Sequence, residues 1–67
     1  MKAQLVVLNS LGEFKSEVKE LTDEQLEQLK SFLPKDLNYL TFPDENGQEL
    51  IFKQDLLNNS LIKIVKL

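Results

Sequence analysis

The chain contains no histidine, no cysteine and no tryptophan, and all eight of its basic residues are lysine. These absences exclude thiol chemistry, disulfide staples, the usual zinc and haem ligands and any histidine-based triad. Glycine and proline occur twice each, so low-complexity linkers are excluded as well. No apolar run approaches the ~20 residues that span a bilayer, the longest being Leu5 to Leu8. The start, Met1-Lys2-Ala3-Gln4, has one charge and a short apolar stretch, unlike a secretory signal, and the expected location is the cytoplasm. A mildly acidic chain without arginine, formal net charge −3, does not suit a nucleic-acid backbone, which calls for a basic face.

What is present fits a globular chain of 67 residues, 42% hydrophobic and 28% charged. Residues 1–67 are expected to form a single domain. A domain of this size buries only about 60% of the surface its unfolded chain exposes, and a single core then rarely yields more than about 3–5 kcal/mol. Idealised local structure and self-association are the remaining sources of stability.

The expected elements follow from pattern. Lys2 to Leu8 reads as a strand, with Leu5 and Val7 on one face and Val6 and Leu8 on the other. Asn9-Ser10-Leu11-Gly12 is a turn, and Glu13 to Lys19 alternates as a returning strand, Phe14, Ser16 and Val18 inward. Thr22-Asp23-Glu24-Gln25 is a capping box, with Leu21 and Leu26 at the hydrophobic-staple positions. Leu26, Leu29 and Leu33, with Phe32 beside them, form the buried stripe of a helix that Pro34 ends. Asn38 to Phe42 and Gln48 to Lys53 are strands around Pro43-Asp44-Glu45-Asn46-Gly47. Asp55 to Ser60 is a short turn or helical kink, and Leu61 to Leu67 a fifth strand. The expected fold is α+β, in the order ββαβββ, with one helix on one face of a mostly antiparallel five-stranded sheet.

One helix covers one face, so Val6, Leu8 and Ile51, or their opposite-parity neighbours, are expected to lie in water in a single copy. Exposed apolar strands and open edges mark interfaces, which predicts a homo-oligomer, a dimer or higher.

The residues give little support for catalysis. Six serine and threonine hydroxyls are candidate nucleophiles, but no histidine can activate them and the lysines fall on outward positions. Asp44, Glu45 and Glu49 cluster about one turn and read as a solvated loop. Asp44-Glu45-Asn46-Gly47 lacks the glycine at position six and glutamate at position twelve of a calcium hand. No metal or cofactor is expected. Asn58-Asn59-Ser60 matches a glycosylation sequon by chance and supplies turn hydrogen bonds. The acidic set Glu17, Glu20, Asp23, Glu24 and Glu27 reads as a solvated helix face, or as a surface for a basic partner. Lys53, Lys63 and Lys66, with Asn58, Asn59 and Ser60 near in sequence, mix ammonium and amide groups that suit a small anion at an oligomer seam, or read as strand-edge lysines that discourage aggregation. Tyr39 and Phe52 are the candidate aromatics for stacking on it.

Leu40-Thr41-Phe42-Pro43-Asp44-Glu45-Asn46-Gly47, Leu50-Ile51-Phe52 and the ending Leu56-Leu57-Asn58-Asn59-Ser60-Leu61-Ile62-Lys63-Ile64 together resemble small accessory proteins of bacteriophages and prophages. In that loosely defined group a hairpin with Asp and Gly leads to a Leu-x-x-Ser-x-Ile-x-Ile ending. The first half, with its Asn-Ser-x-Gly turn and Leu-Thr-Asp-Glu-Gln helix start, is similar too. The resemblance covers most of the chain, rests on structural motifs and carries no site residue over. It implies a non-catalytic anti-defence protein that sequesters a small nucleotide immune signal or blocks a host defence protein; a structural component of the phage particle is a third reading. A nucleotide sponge requires a cavity at the subunit seam lined by Lys, Asn, Ser and an aromatic. A protein blocker requires an exposed apolar patch with an acidic rim.

Overall fold

The computed structural model describes residues 1–32 and 38–67. The described chain is α+β with antiparallel strands and two helices: β1 Lys2–Asn9, β2 Gly12–Lys15, β3 Lys19–Glu20, α1 Asp23–Phe32, β4 Tyr39–Pro43, β5 Glu49–Lys53, α2 Gln54–Leu57 and β6 Leu61–Lys66. Strand β1 is the centre of the larger sheet. It pairs with β2 and β3 along one edge and with β6 along the other, Leu5 opposite Ile64 and Val7 opposite Ile62. Strands β4 and β5 form a separate hairpin, with Leu40 opposite Phe52 and Phe42 opposite Leu50.

The expected single five-stranded sheet is therefore corrected to a sheet and a hairpin in two layers. Two features of the sequence favour this arrangement. Strand β6 returns directly onto β1 and takes the side of it that β2 and β3 leave free. The hairpin carries Leu40, Phe42, Leu50 and Phe52 on one face, and that face needs an apolar surface opposite it rather than an edge beside it. Val7, fully buried, meets Phe42 and Phe52 in the core, with Leu5, Phe14, Ile62, Leu56 and Leu57 packed around them. Phe52 lies 5.4 Å from Phe42 in a stacked pair and 5.5 Å from Phe14 edge-to-face. A second helix, α2, lies where a turn or kink is expected, and its Leu56 and Leu57 pack against the core.

The expected strand from Glu13 to Lys19 is broken. Ser16 N–H donates to Leu5 C=O at 2.8 Å, yet Lys19 lies opposite Ala3. Gln4 alone thus faces Glu17 and Val18 together, which is a β-bulge. Val18 is exposed rather than inward. At the bulge, two side chains replace ladder partners: Leu5 N–H donates to Ser16 Oγ at 2.9 Å, and Gln4 Nε2 donates to Ser16 C=O at 2.8 Å. These are the buried polar residues of the chain's described part. The bulge also joins the layers, because Ser16 bridges to Asp44 and Glu17 N–H donates to Pro43 C=O at 3.1 Å.

Two local expectations hold in detail. Thr22 N–H donates to Gln25 Oε1 at 3.0 Å and Gln25 N–H donates to Thr22 Oγ1 at 3.1 Å, the reciprocal capping box. Leu26 is buried and Leu21 half-buried, as the staple requires. Leu33 and Pro34, the expected end of the helix, lie outside the described residues. In the β4–β5 turn, Asp44 Oδ1 accepts from Asn46 and Gln48 N–H at 2.8 and 2.9 Å, and Gly47 takes φ +81°, the left-handed position the loop needs. Substituting Thr22 by alanine removes one cap and is expected to cost about 1 kcal/mol. That corresponds to a melting temperature lower by about 4–8 °C in a domain of this size. Thermal denaturation followed by circular dichroism measures it, and an unchanged midpoint contradicts it.

The second face of the sheet is less open than its sequence implies. Val6 is only 2% exposed within a single chain, against the expectation that it lies in water. Register places Lys15 and Lys63 directly opposite it on the same face, one from each neighbouring strand. Leu8 is half-buried. Ile51 is 68% exposed, as expected, on the outer face of the hairpin.

Candidate functional site

Between α1 and strand β4 runs an apolar groove of about 560 Å³. Its floor is the inner face of the sheet at Ala3, Leu5 and Ile64. The helix contributes Leu29 and Phe32, preceded by Leu21, and the hairpin contributes Leu40, Phe42 and Pro43. The groove follows from the layering. The hairpin covers the Val7 end of the inner face, α1 buries Leu26, and Leu5 and Ile64 between them remain half-buried. Phe32, at the end of α1, is 50% exposed.

Polar side chains at the rim are mostly engaged with one another. Lys19 Nζ lies 3.7 Å from Glu17 Oε1. Thr41 Oγ1 donates to Glu49 Oε1 at 2.7 Å, and Gln25 is held in the capping box. Among the described residues no buried side-chain donor or acceptor lacks a partner. The groove therefore presents apolar area within a neutralised rim, a surface suited to apolar contact more than to a phosphate.

The residues expected to bind a small anion are placed apart. Tyr39 and Lys53 are brought together, directly opposite across the β4–β5 hairpin and both exposed. Phe52, next to Lys53 in sequence, points inward, is 4% exposed and belongs to the aromatic core. Asn58, Asn59 and Ser60 close α2: Asn58 N–H donates to Gln54 C=O, Asn59 Nδ2 to Asp55 C=O at 3.1 Å, and Ser60 Oγ to Leu56 C=O at 2.7 Å. Ser60 Oγ also accepts from Asn9 Nδ2 at 3.2 Å, tying that corner to the β1–β2 turn. Lys63 flanks Val6 on the face of the sheet away from the hairpin.

The acidic set is exposed, with Glu17 and Glu27 paired to Lys19 and Lys30. Among the described residues no cluster of three or more carboxylates comes together, and no helix is long and apolar enough to cross a membrane. Sequence reading identifies Leu29 and Phe32 as helix-face residues and Leu40 as a strand residue, but the space between them arises only when two layers meet. The one early signal is Leu21 and Phe32 extending the apolar surface of α1 beyond the buried Leu26.

No protein family model, curated protein or solved structure matches this chain.

Proposed function

We propose that this chain acts by binding, without catalysis, and that its groove between α1 and β4 receives an apolar segment of a protein partner. The observation that carries this reading is the groove itself, with Leu5, Leu29, Leu40 and Ile64 half-buried along it and its rim charges paired. A partner that inserts leucine- or aromatic-sized side chains there gains about 25 cal/mol per Å² of apolar area removed from water. The chain works in the cytoplasm as a small accessory protein of the phage type its sequence resembles, self-associates, and blocks a host protein. Capture of a small nucleotide signal is the second reading, supported by the exposed Tyr39–Lys53 pair, an aromatic face beside an ammonium.

The absence of tryptophan provides a direct test. A short uncharged peptide with one tryptophan between leucines is expected to shift its emission to the blue on addition of the chain, and Leu29→Lys to abolish the shift. Calorimetry with cyclic nucleotides and ADP-ribose derivatives is expected to give no heat. Heat that disappears in Lys53→Ala, with no response from the peptide, replaces the first reading by the second.

A further inference from the structure

We infer that a second copy of this chain docks antiparallel along the outer edge of β6, with the two-fold axis at Ile64. The inference rests on the self-association proposed above and names its surface.

The direction of each backbone group on β6 follows from the hydrogen bonds of β1. Ser16 N–H donates to Leu5 C=O, so Leu5 turns its polar groups toward the β2 edge. In an antiparallel ladder that direction alternates by residue, so Gln4, Val6 and Leu8 turn theirs toward β6. Leu67 N–H donating to Lys2 C=O at 2.9 Å agrees. Leu61, Lys63 and Val65, opposite Leu8, Val6 and Gln4, are thereby bonded inward. Ile62, Ile64 and Lys66 present their N–H and C=O groups outward, and β1 is the one strand paired with β6 among the described residues. An open edge of this kind is a template for another strand.

The sequence of β6 is self-complementary in one register. With the axis at Ile64, Ile64 meets Ile64 of the second copy, and Ile62 meets Lys66. Every outward N–H and C=O of β6 then has a partner. On the other face of the sheet Lys63 meets Val65, and Leu61 meets Leu67. No lysine stands opposite a lysine, and the two leucines left 62% and 65% exposed in one copy cover each other. Moving the axis to Lys63 sets Lys63 against Lys63, a like-charge pair that opposes pairing. The favoured register also puts the two grooves on the same face of the joined sheet, since Ile64 is a floor residue of each.

An edge contact this short belongs with small, transient interfaces, so trapping is the appropriate test. The chain has no cysteine of its own. Leu61→Cys and Leu67→Cys alter exposed side chains and leave the core untouched. When the two variants are mixed under oxidising conditions, the mixed disulfide is expected to exceed either same-residue disulfide by roughly tenfold, because only the mixed pair falls within the bridgeable Cα separation. Same-residue pairs would stand about 20 Å apart in this register. Sedimentation of the unmodified chain is expected to show the 7.8 kDa species giving way to its double as concentration rises. A doubled mass with same-residue disulfides, or with none, overturns the β6 register and leaves self-association standing. A 7.8 kDa species at every concentration with no disulfide overturns both.

Discussion

Replacing Phe52 by alanine is expected to unfold the chain at room temperature. Phe52 is 4% exposed, contacts Phe14 and Phe42 at ring separations of 5.5 and 5.4 Å, and joins the two layers against Val7. Truncating a buried phenylalanine costs about 3–5 kcal/mol from lost burial and the cavity left behind. The core of so small a domain supplies a net stability of about the same size, so little remains to hold the fold. Tyr39→Ala on the same hairpin is expected to change stability by less than about 0.5 kcal/mol, because Tyr39 is 63% exposed. Urea denaturation followed by circular dichroism separates the two variants. A cooperative Phe52→Ala transition within about 1 kcal/mol of the parent contradicts a core centred on this ring.

Ser16→Ala is the second large effect, and it acts through the two hydrogen bonds of one hydroxyl at the bulge. Ser16 Oγ accepts from Leu5 N–H at 2.9 Å and donates to Glu17 C=O at 2.9 Å. Its removal leaves the Leu5 amide without a partner in a part-buried position, a loss of about 1–3 kcal/mol. Gln4→Leu leaves Ser16 C=O unpaired in the same way, since Gln4 Nε2 is its donor. The two residues hold one feature, so the double variant is expected to lose less than the sum of the single losses. Hydrogen exchange at the Leu5 amide reports the site directly. Faster exchange there in Ser16→Ala, with exchange at Val7 following only the global stability, is the expected pattern. Full additivity of the two losses, with Leu5 exchange unchanged, contradicts the role assigned to the pair.

Local features were legible in the sequence because their determinants are local. The capping box at Thr22 and Gln25, the loop that needs Gly47 and the break after Lys53 depend on residues within a few positions of one another. Strand parity was legible in part: Ile51 lies outward as expected, whereas Phe52, a candidate for stacking on a ligand, falls inward with Phe42. Alternation does not say what an inward face meets, which is why the hairpin could be read as part of one sheet and is in fact a second layer. The bulge was hidden because Phe14, Ser16 and Val18 alternate without interruption, and the inserted residue changes only the partner across the ladder. Its one trace is Gln4, a polar residue beside the apolar run Leu5 to Leu8. Val6 is expected in water because one helix covers one face of a sheet, yet it is 2% exposed where the ladder sets Lys15 and Lys63 on either side of it.

The candidate site was less legible than the fold. Asn58, Asn59 and Ser60 carry groups suited to an anion, but in sequence nothing distinguishes a ligand amide from one that closes a helix. Here Asn59 and Ser60 donate to carbonyls of α2. Phe52 is an aromatic at a strand end next to a lysine, and its parity with Leu50 decides that it points inward. The groove is lined from β1, α1, β4 and β6, so no contiguous stretch encodes it.

The most direct test of binding through the groove is amide chemical-shift mapping of the isotope-labelled chain as the tryptophan peptide is added. Shifts are expected to concentrate at Ala3, Leu5, Leu29, Leu40 and Phe42 and to saturate with peptide, while Tyr39 and Lys53 stay unmoved. Shifts confined to Tyr39 and Lys53, or spread evenly without saturation, contradict it.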